Sequence, residues 1–297
     1  MLIRHLSYFV TLANERHFAR AAQRCNVSQP TLSAAIRKLE DDLAARLVLR
    51  DQRFLGLTEE GEKVLAWGRQ ILSDYTSLRD DLSGLRRGLT GTLRLGVIPA
   101  AMPVVSLLTA PFSEAHPAAR IDIQSMSSRA IQRALDSLEI DGGLTYLENE
   151  PLENVIRLPL YRERYVFAAH RSHPLANRSQ VSWREAAEQR LCLLGDEMQN
   201  RRILDKVAAS IGVTIAPEIR SNSFLAVCSH LRHGEWASIM PHTFHYLLGG
   251  SPEIVALDLT DPAHEQQQIG LVQPDRQPLS PMATALAASL KGAVFDI

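Results

Sequence analysis

The most constraining feature of this chain is a pair of helical patterns in residues 18–43, separated by a short break. The first places small or apolar residues at helical spacing, namely Phe18, Ala21, Ala22 and Cys25. The second follows Ser28, a favourable N-cap, and Pro30, which fits a first helical turn because an N–H there has no helical partner. Its apolar stripe comprises Leu32, Ile36, Leu39 and Leu43. The pattern predicts two short helices joined by a tight turn, a helix-turn-helix.

The outer face of the second predicted helix is polar and basic. It carries Gln29, Thr31, Ser33, Arg37 and Lys38. A glutamine near the helix start can hydrogen-bond to base edges, hydroxyl groups can reach bases or phosphates, and the two cations suit the phosphate backbone. The pattern therefore predicts a DNA-binding surface. The alternative is an ordinary helical hairpin whose charged face is merely solvated.

The distribution of charge favours the DNA-binding interpretation, although the chain as a whole is not basic. Its formal net charge is −1 over 297 residues. Residues 1–58 hold nine Lys and Arg residues against five Asp and Glu residues, a balance of +4, so the remainder sums to −5. A basic N-terminal segment is sufficient for DNA binding, since that binding depends on the charge of the surface that contacts DNA and not on the net charge of the chain.

Residues 21–61 closely resemble the DNA-binding domain of the LysR-type transcriptional regulators. The matching residues are Ala21, Ala22, Val27, Ser28, Gln29, Pro30, Leu32, Ser33, Ile36, Leu39, Glu40, Leu43, Leu47, Arg50, Leu57, Thr58, Glu59, Glu60 and Gly61. The resemblance implies the fold class α plus α/β: a winged helix-turn-helix, a long linker helix, and a C-terminal two-subdomain effector domain similar to periplasmic binding proteins of type 2. It also implies a sequence-specific transcription regulator that acts at promoter DNA.

The resemblance and the helical pattern together predict the residues that contact DNA. They are Gln29, Pro30, Thr31, Ser33, Arg37, Lys38, Arg50 and Arg53. By resemblance, Gln29, Pro30 and Ser33 approach the major groove, and the last two arginines lie in or beside the wing, near phosphate. Many family members carry Arg at the position of Ala34, so the family does not supply an operator sequence for this chain.

The predicted domains are residues 1–58 for DNA binding, 59–90 for a linker helix and hinge, and 91–297 for effector binding. Thr58 can cap the linker helix, and the acidic residues of its first turns suit the helix dipole. Its apolar residues approach coiled-coil spacing, at Val64, Ile71, Tyr75, Leu78, Leu82 and Leu85. We expect a homodimer, since this motif reads two half-sites, and a homotetramer is common in the family. The alternative is a single helix packed on its own domain.

Residues beyond Gly91 alternate between strand and helix patterns, which predicts an α/β domain with parallel strands. The resemblance implies that the chain crosses twice between two subdomains, near 161–163 and 266–268. Subdomain I then comprises 91–161 and 268–297, and subdomain II comprises 162–267. Ligands in open α/β folds bind at the carboxyl ends of the strands, where helices begin.

Loops at these strand ends contain the predicted effector contacts. They are Ala100, Ala101, Met102, Ser127, Ser128, Arg129, Thr145, Asn200, Arg201, Asn222 and Ser223. Ser128 matches a position where the family often has a ligand-facing Ser or Thr. Free N–H groups at a helix start favour an anion, so the expected effector is a small organic acid or an inorganic oxyanion. No cofactor is expected. Effector binding should alter subdomain closure, DNA bending and contact with RNA polymerase.

Three other classes of protein compete with this interpretation. The nucleophile-elbow, P-loop, dinucleotide-binding and HExxH motifs of enzymes are absent from the sequence. A thiol-based redox regulator of the same family stays open, with Cys228 as its candidate. A solute-binding protein is disfavoured, because no export signal or membrane-length apolar run appears and we expect a cytoplasmic location.

Overall fold

The computed structural model describes residues 2–50, 53–148, 150, 152–244, 253–260, 266–290 and 295. Its contacts divide into two compact units, Met1–Leu89 and Thr90–Ile297. The first is mostly helical and the second combines helices with mixed sheets, which confirms the predicted fold class.

The N-terminal unit consists of three helices, a hairpin and one long helix. In chain order these are α1 (Leu2–Glu15), α2 (Phe18–Arg24), α3 (Gln29–Leu43), β1 (Val48–Arg50), β2 (Phe54–Leu57) and α4 (Glu59–Arg87). Leu32, Ile36 and Leu39 are fully buried, as the stripe predicts, and pack with residues of α1 and α2. The prediction for Leu43 is wrong, because α3 ends there, Ala44 takes a left-handed conformation, and 43% of Leu43 stays exposed.

Helix α4 begins as the sequence predicts, and its first half packs on this core. Thr58 Oγ1 accepts a hydrogen bond from the Gly61 N–H at 2.9 Å, which caps the helix. Val64 and Leu72 pack against the core of the N-terminal unit. Farther along, Ile71, Tyr75, Leu78 and Leu82 remain between 41% and 56% exposed. The Leu85 side chain lies outside the described residues.

The C-terminal unit begins with a five-stranded sheet. Its strands are β3 (Gly91–Val97), β4 (Ala119–Ser125), β5 (Gly142–Tyr146), β6 (Val155–Glu163) and β13 (Gln267–Pro274), in the order β4-β3-β5-β13-β6. Its helices are α5 (Val105–Ala115), which follows a 3₁₀ turn (Pro99–Val104), α6 (Ser128–Asp136) and α10 (Pro281–Ser289). The strand β3 pairs in parallel with β4 and β5, whereas β13 runs antiparallel to β5 and β6. The strands β3, β4, β5 and β6 therefore run in one direction, as the sequence pattern predicts, and β13 runs against them.

A second group of strands forms the other half of this unit. They are β7 (Tyr165–His170), β8 (Gln180–Val181), β9 (Cys192–Leu194), β10 (Ile219–Ser221), β11 (Ala237–Pro241) and β12 (Ile254–Leu259). The helices α7 (Trp183–Ala187), α8 (Gln199–Ser210) and α9 (Phe224–Leu231) accompany them. Four of these elements, β8, α7, β10 and β12, were not predicted from the sequence. The sequence pattern also predicts a helix over 242–248 and another from 280 to about 293. Most of the first and the end of the second lie outside the described residues.

The chain passes between the two groups of strands along β6 and β13. These strands pair antiparallel, and Glu163 lies opposite Gln267 at the end of the ladder. The next strand after β6 begins at Tyr165 in the second sheet. The two passages therefore lie side by side.

Candidate functional sites

The start of α3 presents the polar residues predicted to meet DNA. Ser28 Oγ accepts the Thr31 N–H at 3.3 Å and lies 2.7 Å from Thr31 Oγ1, so the hydroxyl of Thr31 already has a local partner. Gln29 and Pro30 are exposed, and Ser33 is half-buried. The N-cap therefore fixes the helix start and leaves Gln29 accessible to a partner.

The two cations on α3 differ in availability. Lys38 Nζ forms an ion pair with Asp42 at 2.8 Å, and the hydrogen bond and charge of Asp42 raise the pKa of Lys38. Arg37 is exposed and makes no ion pair with any described residue. Because none of the described carboxylates pairs with Arg37, this residue is the better candidate for a phosphate contact.

The hairpin after α3 is held against that helix by a buried carboxylate. Glu40 Oε1 accepts the N–H groups of Leu47 at 3.0 Å and Val48 at 3.3 Å. This role was not predicted from the sequence, where Glu40 is one acid in the run Glu40, Asp41 and Asp42. The exposed Arg53 immediately precedes β2, while the side chain of Arg50 lies outside the described residues.

A cavity of about 560 Å³ opens within the C-terminal unit, between its two groups of strands. Its lining comes from segments far apart in sequence: Pro99, Met102, Pro103, Ser125, Met126, Ser127, Met198, Asn222, Ser223, Phe224, Leu225, Cys228 and Phe244. A volume of this size suits a small molecule, since ligand pockets typically measure about 300–1,000 Å³.

The wall of the cavity is mainly apolar. Methionine and phenylalanine side chains dominate it, the polar groups are serines and one asparagine, and no charged side chain is found among the described lining residues. Helices α8 and α9 begin at this wall, and their N-cap residues, Met198 and Ser223, form no side-chain cap hydrogen bond. The first N–H groups of a helix lack helical partners and carry partial positive charge. The cavity thus combines an apolar body with a weakly electropositive edge.

The structure brings four of the predicted effector residues to this cavity. They are Met102, Ser127, Asn222 and Ser223. Leu225, two methionines and two phenylalanines of the wall were not predicted, because apolar residues that line a cavity are indistinguishable from core residues in a sequence alone. They are Met126, Met198, Phe224 and Phe244.

Five other predicted effector residues lie away from the cavity lining. Ala100 and Ala101 are buried in the 3₁₀ turn, and Thr145 is fully buried in β5. The Asn200 amide donates to the hydroxyls of Tyr146 and Tyr165, and the guanidinium of Arg201 donates to the carbonyl groups of Leu194 and Ile215. The side chains of Asn200 and Arg201 are thus engaged in contacts within the fold, which corrects the expectation that they face the cavity.

The remaining two, Ser128 and Arg129, line a smaller cavity of about 260 Å³. Glu150 also lines it, and its carboxylate accepts a hydrogen bond from Ser128 Oγ at 3.1 Å. Arg129 Nε lies 3.8 Å from the same carboxylate. The groups predicted to bind an external anion therefore surround a carboxylate of the chain itself.

A buried acid lies where the chain passes between the two sheets. Glu163 is fully buried, and the Tyr146 hydroxyl donates to its Oε1 at 2.7 Å. Burial raises the pKa of Glu163 to about 8, while the hydrogen bond from Tyr146 acts in the opposite direction. The neutral acid therefore predominates at pH 7.

The cysteine side chains of the C-terminal unit are poor nucleophiles in this structure. Burial raises the pKa of both Cys192 and Cys228 to about 11. Since the thiolate is the reactive form, both thiols are largely unreactive at neutral pH.

The described residues contain no grouping of three or more His, Cys, Asp and Glu side chains able to hold a metal ion. Nor does this part of the chain include a helix of the length and hydropathy needed to cross a membrane.

Comparison with known proteins identifies relatives of both units. Residues 3–62 match the family model of bacterial regulatory helix-turn-helix proteins of the LysR family, and residues 86–294 match the LysR substrate-binding domain. A hydrogen peroxide-inducible genes activator from Dickeya chrysanthemi is 34% identical over 197 residues, 66% of this chain and 64% of the relative. The regulator BudR of Raoultella terrigena is 33% identical over 185 residues, 61% of this chain and 63% of that protein. The match thus spans less than two thirds of these relatives.

Solved structures share the fold. A full-length OxyR variant from Pseudomonas aeruginosa has a TM-score of 0.75 at 24% identity and covers 98% of this chain and 95% of its own. The LysR-family regulator CbnR has a TM-score of 0.71 at 19% identity, with complete coverage of both chains. Since the substrate-binding model alone matches more than half of the residues and the helix-turn-helix model precedes it, this chain belongs to the LysR family of transcriptional regulators.

Proposed function

We propose that this chain binds promoter DNA through the face of α3 and the neighbouring hairpin, and that a small organic acid bound in the larger cavity controls that binding. The observation that carries the proposal is the uncharged, apolar cavity at the starts of α8 and α9, in a chain whose N-terminal unit presents an exposed helix-turn-helix. The ligand must bind two arrangements of the protein with different affinity for control to follow.

Contact with DNA rests on the exposed Gln29 and Arg37 at the start and middle of α3. Arg37→Ala should weaken binding to every DNA sequence, and it should make the salt slope shallower by about 0.9, the value for a single phosphate. Lys38→Ala is the matched control, because Lys38 is already paired with Asp42 and should change the slope less. Equal effects of the two substitutions would contradict the assignment.

The chemistry of the wall narrows the effector class. A bare inorganic oxyanion would lose its hydration against methionine and phenylalanine side chains, and none of the described lining residues carries a charge to replace that hydration. An organic acid places its apolar part against this wall and its carboxylate at the helix N-termini. The proposed effector is therefore a carboxylic acid with an apolar body, rather than an inorganic oxyanion.

Leu225 offers a direct test of this site. It lines the cavity and is 81% exposed, so Leu225→Glu adds a negative charge at the cavity with little cost to folding. We expect the full chain to be stabilised against heat by apolar carboxylic acids, and this variant to lose the response. Ile156→Glu is the matched control, because Ile156 is 45% exposed but does not line the cavity. Loss of the response in both variants would contradict the proposed site.

We also propose that two copies associate through the exposed apolar stripe of α4, and that the regulator acts on RNA polymerase at the promoter. Ile71, Tyr75, Leu78 and Leu82 support the first statement, since their spacing is that of a coiled-coil seam. Leu78→Glu should shift the full chain toward monomer in sedimentation velocity, whereas Lys63→Glu should not.

Thiol-based sensing is a second candidate function. It is favoured by the position of Cys228 at the cavity and by relatives named as hydrogen peroxide-inducible genes activators. It is opposed by the raised pKa of Cys228, which keeps the thiol protonated at neutral pH. If peroxide alters DNA binding of the wild type and of Cys25→Ser but not of Cys228→Ser, the redox function replaces the organic-acid effector.

A further inference from the structure

Glu150 makes a dense set of contacts for a residue in a polar loop. Ser128 Oγ donates to its Oε2 at 3.1 Å, and Arg129 Nε lies 3.8 Å from that oxygen. On the other side, Arg202 Nε donates to Oε1 at 2.9 Å, and a second Arg202 nitrogen forms an ion pair with the same oxygen. The Glu150 side chain is 18% exposed, so this is a largely enclosed carboxylate.

These contacts join the two halves of the C-terminal unit. Ser128 and Arg129 begin α6, which packs on the first sheet, whereas Arg202 lies on α8, beside the second. The loop that carries Glu150 is also bound on both sides. The Gln199 side chain of α8 donates to the Glu148 carbonyl at 3.1 Å, and Gln132 of α6 donates to the Glu153 carbonyl at 3.0 Å.

The arrangement has the composition of a carboxylate-binding site. It comprises a hydroxyl donor at a helix start and two guanidinium groups, which are the donors that bind carboxylates most strongly. It adjoins the larger cavity, because Ser127 and Met198 line that cavity while the next residues, Ser128 and Gln199, line the smaller one.

We propose that Ser128, Arg129 and Arg202 form a site for a small carboxylate, and that Glu150 is its built-in occupant. The tethered carboxylate joins the two halves of the unit, and a free carboxylate from solution competes with it. The regulatory consequence rests on the proposed function: an effector acid that displaces Glu150 would release the contact between the two halves of the unit.

Removal of the Glu150 carboxylate should create a measurable binding site. In the full chain, Glu150→Ala should bind acetate at least about tenfold more tightly than the wild type, because the charge-assisted hydrogen bonds that Glu150 now accepts become available to acetate. Calorimetric titration with sodium acetate, against sodium chloride at the same ionic strength, measures this. Glu148→Ala is the matched control, since it removes an exposed acid from the same loop, and it should behave like the wild type.

Acetate binding that is equal in Glu150→Ala and the wild type would overturn the proposal, as would a gain that survives the additional change Arg202→Gln. Should Glu150→Ala fail to fold, Glu150→Gln keeps the shape of the side chain without its charge, and its affinity for acetate should still exceed that of the wild type. Acetate has almost no apolar body, so this result is independent of the Leu225→Glu test. A gain here with no response to apolar acids would refute the proposed effector class and leave the carboxylate site standing.

Discussion

The candidate DNA face and the ligand cavity are built in opposite ways. The DNA face lies on one helix, where Gln29 and Arg37 are eight positions apart and their orientation follows from helical geometry. The cavity draws on separate stretches of chain around residues 99–103, 125–127, 198, 222–228 and 244. The first surface depends on local sequence, whereas the second depends on how two sheets and three helix starts come together.

The two sites also differ in their physical character. Exposed polar and cationic groups dominate the face of α3, which suits a charged partner bound in water. Methionine and phenylalanine side chains dominate the cavity, and its polarity comes from serines, one asparagine and helix N-termini. Substitutions in the N-terminal unit should therefore change DNA binding and spare ligand binding, and substitutions at the cavity should do the reverse.

The largest expected effect is on the core of the N-terminal unit. Ile36 is fully buried among helices α1 to α3, so Ile36→Ala should destabilise that unit by about 2–5 kcal/mol. DNA binding should fall accordingly, while stabilisation by an apolar acid should persist. Titration calorimetry of the full chain with DNA measures the first effect, and scanning calorimetry with and without the acid measures the second. An equal loss of both functions would show that the units do not fold independently.

A smaller effect is expected at the recognition surface. Gln29→Ala removes an exposed amide at the start of α3 and should cost about 1–3 kcal/mol of discrimination at the specific site. Fluorescence anisotropy with a duplex that the full chain selects from a random library measures this cost. Affinity for random duplexes should change little, and an equal loss on both would assign Gln29 to nonspecific contact.

The buried acid of the C-terminal unit predicts a dependence of stability on pH. The pKa of Glu163 is raised from 4.5 to about 8 in the folded chain, so the folded state holds a proton that the unfolded state releases between these values. The free energy of unfolding should therefore fall as the pH rises from about 5 to 8, by up to about 1.4 kcal/mol per pH unit.

Urea unfolding of the wild type and Glu163→Gln at pH 5.5 and 7.5 measures this effect. The variant should show a flatter profile, because glutamine stays neutral and can still accept the hydrogen bond from Tyr146. The pKa values of Tyr146, Tyr161 and Tyr165, which interact with Glu163, are all raised above 10, so these groups do not titrate in this range. Parallel profiles for the two proteins would contradict the assignment.

The smallest expected effect compares the same interaction in both units. Ser28 caps α3 and Ser127 caps α6, each through a hydrogen bond of 3.3 Å to a backbone N–H. Each change to alanine should cost about 1 kcal/mol. Ser28→Ala should reduce DNA affinity, whereas Ser127→Ala should reduce the response to an apolar acid. If Ser28→Ala instead reduced the response to the acid and Ser127→Ala reduced DNA affinity, the assignment of DNA binding to the N-terminal unit and ligand binding to the C-terminal unit would be contradicted.

The sequence predicts the N-terminal unit well because its signals are local. The break before Ser28, the proline that follows and the stripe Leu32, Ile36 and Leu39 lie within a few turns of helix, and the structure confirms them. The exposure of Leu43 was not predicted, since the helix end at that residue carries no glycine or proline signal.

In the C-terminal unit, the sequence predicts most helices and strands but fewer of the residues that line the cavity. The long strands and helices appear where periodicity indicates, whereas the antiparallel direction of β13 depends on pairing with β5 and β6, which are distant in sequence. Glu150 illustrates the same limit. The sequence shows only one acid among several in a polar loop, and its role follows from contacts to α6 and α8.

The most direct test measures DNA affinity of the full chain with and without an apolar carboxylic acid that stabilises it against heat. The library-selected duplex is titrated with the wild type and with Leu225→Glu. We predict that the acid changes the dissociation constant of the wild type about fivefold or more and leaves that of the variant unchanged. An unchanged constant in the wild type, or an equal change in both proteins, would contradict control of DNA binding by this cavity.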